Sequence, residues 1–89
     1  MARFEILDVQ GASLANAAAT ADTFYELGMM YSVGRNVPLD FIAAHKWFNL
    51  AAMRGNKDAI RLRREIADQM SENEVAQAQR AARAWLNAG

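Results

Sequence analysis

The chain has 89 residues, enough for one domain with a core of modest size. Ten basic and ten acidic side chains cancel to zero formal charge, which disfavours nucleic acid as the main partner and removes repulsion between copies. There is no cysteine, which excludes disulfides, thiolate metal sites and a thiol nucleophile, and one histidine, which leaves little for transition-metal ligation within one chain.

Residues 1–20 read as an N-terminal arm, loose or partly helical from about Ser13. Phe4, Ile6 and Val9 alternate as in a strand, but no second strand signal exists to pair with them. Arg3, Glu5 and Asp8 interrupt this stretch, so it lacks the unbroken apolar run of an export signal. No segment approaches the roughly 20 apolar residues of a membrane span. A cytoplasmic location and no membrane partner are the expectation.

From residue 21 the pattern is helical. Phe24, Leu27, Gly28 and Tyr31 form one stripe at i, i+3, i+4 and i+7, with Thr20 or Asp22 as the cap. Gly34 ends this helix, and Pro38 keeps it from continuing. Asp40 caps a second helix with the stripe Ala44, Trp47, Phe48 and Ala51, closed by a left-handed Gly55. Asn56 caps a third helix carrying Ala59, Leu62, Ile66 and Met70. Ser71 and Glu74 form a Ser-x-x-Glu capping box that starts a fourth, with Val75, Ala78, Ala82, Trp85 and Leu86, which frays at Asn87-Ala88-Gly89. The fold class predicted is all-α: a short stack of about four helices joined as α/α hairpins.

Between Leu27 and Gly55 the specified positions are Leu27, Gly28, Tyr31, Gly34, Val37, Asp40, Ala44, Trp47, Ala51, Ala52 and Gly55. This string resembles the Sel1-like repeat, a relative of the tetratricopeptide repeat. It departs at Asn36, where such repeats usually carry a second glycine; asparagine tolerates the same positive φ. The resemblance implies a helical-repeat (solenoid) fragment of the kind found in bacterial adaptors and scaffolds. On this reading residues 21–89 form the domain, with 21–55 as the repeat. Residues 56–87 are a degenerate pair capping the stack, since Arg63 and Arg64 stand where a Leu-Gly pair is expected.

The functional expectation is a non-catalytic protein–protein interaction module that binds a protein or peptide and needs no cofactor, metal or catalytic residue. The alternative is a homo-oligomeric building block, such as a homodimer. His45 has no nucleophile nearby and reads as a surface or half-buried structural residue, with Asn49 one turn away as a contact. Glu72 and Glu74 lie two apart and diverge on a helix. Arg61, Arg63, Arg64, Arg80 and Arg83 form the basic concentration of the chain: either a patch for an acidic partner or RNA or, the favoured reading, a solvated face in which Arg61–Glu65 and Arg64–Asp68 pair at i, i+4. Tyr25, Met29 and Arg61 are the predicted partner-contact residues, placed on the face that first helices line in a stacked hairpin fold; the alternative is a plain packing role against the N-terminal arm.

Overall fold

The structure, a computed structural model, describes residues 20–88. The N-terminal arm, Thr20 excepted, and Gly89 lie outside them. Four helices and no strand make up the described chain: α1 (Ala21–Val33), α2 (Phe41–Met53), α3 (Lys57–Ala67) and α4 (Glu72–Ala88).

Each start is set by a side-chain oxygen that satisfies an otherwise free amide of the first turn. Thr20, not Asp22, caps α1, accepting from the Thr23 N–H at 3.2 Å. Asp40 accepts from the Ala43 N–H at 3.1 Å, and Asn56 from the Ala59 N–H at 2.8 Å. At α4 the box is reciprocal: the Glu74 N–H donates to Ser71 Oγ at 3.1 Å, and the Ser71 N–H donates to Glu74 Oε1 at 2.8 Å. An Asp40→Ala change should cost about 1 kcal/mol. It would appear in urea denaturation as a lower midpoint at unchanged slope, with Asp40→Asn close to the parent.

The ends follow from backbone conformation. Gly34 takes φ 73°, and its amide and that of Arg35 both bond back to the Met30 carbonyl at 2.8 and 3.0 Å. Asn36 takes φ 66°, the positive value expected for it. After α2, Gly55 at φ 98° lets its own N–H reach the Ala52 carbonyl and the Asn56 N–H reach that of Ala51, both at 3.0 Å. This is a Schellman closure, which turns the chain directly into the Asn56 cap. Two boundaries differ from the sequence reading. Helix α3 stops at Ala67, and Met70 lies beyond it, because Gln69 and Met70 bond back only three residues, to Ile66 and Ala67. Helix α4 does not fray at Asn87; it continues through Ala88.

Helix α2 is the shared element, packing against α1, α3 and α4 in turn. Its sequence explains this. The stripe Ala44, Trp47, Phe48 and Ala51 is buried, and so are His45 and Leu50 on either side of it. A buried arc wider than one stripe belongs to a helix covered from several directions. Small residues allow the neighbours to approach closely: Ala44, Ala51, Ala59 and Ala78 have no exposed surface.

The core joins three helices through aromatic rings. Phe24 of α1 stacks on Trp47 of α2 at 5.9 Å between centroids. Trp85 of α4 meets both edge-on, at 5.3 Å from Phe24 and 5.8 Å from Trp47. Such offset and edge contacts are favoured by the ring quadrupoles. The two tryptophans of the chain therefore report on docking of the fourth helix onto the first pair.

Candidate functional site

A groove of about 370 Å³ opens between α2, α3 and α4. Its lining combines His45 and Asn49 from α2, Ile60, Arg63, Arg64 and Ala67 from α3, and Val75 and Gln79 from α4. Arg63 is half-buried, and its Nη1 donates to Asn49 Oδ1 at 2.6 Å. Asn49 therefore contacts α3, fourteen residues away, where the sequence suggested His45 one turn along. The i, i+4 spacing was available to it, but α3 brought a charged donor, which makes the stronger bond.

His45 is buried, not a surface or half-exposed residue as expected, with 3% of its surface exposed. Helices α3 and α4 cover that side of α2, which a single-helix stripe does not reveal. Its Nδ1 has no hydrogen-bond partner in the structure. Burial, reinforced by the nearby Arg63 cation, holds its pKa below the ordinary value of 6.5. The folded chain thus takes up a proton on His45 less readily than the unfolded chain, which does so near pH 6.5. This contribution to stability is whole above that value and is lost as the pH falls below it. Denaturation midpoints measured from pH 8 to pH 5 should be level at first and then decline. In His45→Gln the part of the decline below pH 6.5 should be smaller.

No family model, curated protein or solved structure matches the chain. Local geometry therefore carries the functional reading. Among the described residues no helix is long and apolar enough to cross a membrane. Nor do three or more His, Cys, Asp or Glu side chains gather there as a metal-binding group.

The three predicted contact residues occupy different settings. Tyr25 and Met29 lie half-buried on α1 against the core, and the Tyr25 ring is tilted 6.0 Å from that of Phe48. Arg61 is exposed on α3 between two carboxylates, with Glu65 at 3.2 Å and Asp58 at 3.9 Å. Helices α1 and α3 share no extensive packing, and no described contact joins Arg61 to Tyr25 or Met29. Of the two arginine pairs expected on α3, Arg61–Glu65 forms. Arg64–Asp68 is not among the ion pairs of the described residues. Exposed pairs of this kind add only about 0.2–1 kcal/mol each, so packing elsewhere readily decides between them.

The sequence also did not point to the apolar side chains around the first loop. Val33 and Leu39 are 59% and 58% exposed. They flank Gly34, over which Leu39 folds back. Loop residues carry no periodic signal of burial, so only the folded chain distinguishes outward from inward there.

Proposed function

We propose that this chain is a non-catalytic, cytoplasmic protein–protein interaction module of Sel1-like, helical-repeat type, which binds a protein or peptide partner through its helical surface. The observation that carries the reading is the outward pair Val33 and Leu39 beside the α1–α2 loop. Exposed apolar side chains at the two ends of one short loop on a domain this small are a natural contact point. Tyr25 and Met29 are half-buried on α1, and Arg61 is exposed on α3 apart from them, so each is a separate candidate contact and not part of one surface. The repeat assignment draws support from the absence of a side chain at Gly28 where α2 crosses, from the positive φ of Asn36 and from the turn at Gly55.

The test compares partners recovered from native cell extract by the parent chain, by Val33→Ser/Leu39→Ser and by Arg61→Ala, each shown to be folded. Loss of a reproducible partner with the surface variants supports the reading. A partner retained by all of them removes these surfaces from it, and failure of the parent to retain any partner removes the module itself. A homo-oligomeric block is the second reading, favoured by the same exposed pair together with zero net charge. Light scattering across a concentration range separates the two, since a strictly monomeric chain rules out the oligomer.

A further inference from the structure

The groove between α2, α3 and α4 is one-sided in charge. It is lined by two guanidinium groups, the amides of Asn49 and Gln79 and the His45 imidazole, with no carboxylate among its lining residues. Elsewhere in the described chain the exposed Arg35 and Arg61 have acidic neighbours within 4 Å, while the exposed Arg80 and Arg83 form no ion pair among the described residues and stand in solvent. Arg63 and Arg64 have no ion-pair partner among the described residues. Arg63 is held by Asn49, a neutral acceptor that fixes the direction of the guanidinium without cancelling its charge. A half-buried, oriented cation without a counter-ion attracts an anion more strongly than a solvated one does.

The remaining lining is aliphatic: Ile60, Ala67 and Val75. An inorganic anion would use the cations and leave this wall wet. A neutral apolar ligand would cover the wall and leave the arginines unanswered. A volume of about 370 Å³ falls within the range of small-ligand clefts. We infer that this groove is a binding site for a small aliphatic carboxylate, with the acid group on Arg63 and Arg64 and the hydrocarbon body against Ile60, Ala67 and Val75. The site is separate from the loop surface of Val33 and Leu39 and does not depend on the identity of a protein partner. A free acid and the C-terminus of a peptide ending in an aliphatic residue present the same chemistry.

The experiment titrates the full chain with 4-methylpentanoate, with 4-methylpentanamide and with acetyl-Gly-Leu as its free acid. Amide resonances and the His45 ring signals are followed by NMR. Saturable shifts confined to the groove are expected with the acids, with the uncharged amide at least about tenfold weaker, the scale of a charge-assisted hydrogen bond. Tighter binding of the peptide acid assigns the site to a chain terminus, and tighter binding of the free acid assigns it to a small molecule; both support the inference. Because Arg64 is exposed, Arg64→Gln should stay folded, as far-UV circular dichroism would verify, and should weaken acid binding about tenfold. Equal binding of acid and amide, shifts scattered over the surface, or an unaffected Arg64→Gln would each overturn it.

Discussion

Replacing Phe48 by alanine should bring the chain close to its unfolding midpoint at room temperature. Phe48 is wholly buried, and it is one of only three large side chains in the described chain with essentially no exposure, alongside Phe24 and Leu50. Deleting a buried phenyl ring costs about 3–5 kcal/mol, the lost transfer energy together with the cavity left behind. Small domains sit near the lower end of the usual range of about 5–15 kcal/mol total stability. A loss of this size consumes most of it. The cavity would lie between α1 and α2, against Tyr25 and below Gly28, where rigid helix backbones limit collapse. Far-UV circular dichroism and tryptophan fluorescence at 25 °C should show a substantial unfolded fraction without denaturant, whereas Phe48→Leu should remain folded with a lowered midpoint. A fully folded Phe48→Ala would show that the ring is not central to the core.

The second large effect is expected from the smallest addition, Gly28→Ala. In an ordinary mid-helix position this change stabilises by about 1 kcal/mol, since alanine favours helix and glycine does not. Here a Cβ would stand 2.5 Å from Phe48 Cδ1, 2.6 Å from Cε1 and 3.0 Å from Cγ. The ring has no exposed surface and cannot swing into solvent, so the helices must separate. Overpacking of this kind costs about 1–3 kcal/mol and outweighs the propensity gain. A net loss of up to about 2 kcal/mol lowers the melting temperature by up to roughly 15 °C in a domain of this length. The diagnostic is the double variant: with Phe48→Leu in place, Gly28→Ala should cost much less, a coupling that a double-mutant cycle reads directly. A stabilised Gly28→Ala alone would show that α1 and α2 are not pressed together at this point.

Local chemistry was legible in the sequence wherever a feature is closed within one turn. Asp40, Asn56 and the Ser71–Glu74 box act within four residues of themselves, so spacing alone places them. Gly34, Asn36 and Gly55 take the positive φ that their residue types suggest. The stripes of α1 and α2 were also readable, because Phe24, Gly28, Ala44, Trp47, Phe48 and Ala51 are buried together. What escaped was set by contacts between distant segments. His45 is off the stripe, yet α3 and α4 enclose it. Asn49 answers Arg63 rather than a neighbour on its own helix. Trp85 joins Phe24 and Trp47 from more than thirty-five residues away. The groove is made wholly of such relations: the sequence had weighed His45, its neighbour Asn49 and the arginines one element at a time and did not bring them together.

Helix α2 has one more consequence, for how the chain comes apart. Because α1, α3 and α4 all pack extensively on α2 and only slightly on one another, no half of the described chain holds a self-sufficient interior. Peeling away α4 withdraws Trp85 from Phe24 and Trp47 at once, and peeling away α1 uncovers Phe48. Amide protons in the middle of α2 can exchange with solvent only when every neighbour has let go, so their opening energy equals that of the whole domain. The outer ends of α1 and α4 open at lower cost, and a surface that must adapt to a visitor is best carried there.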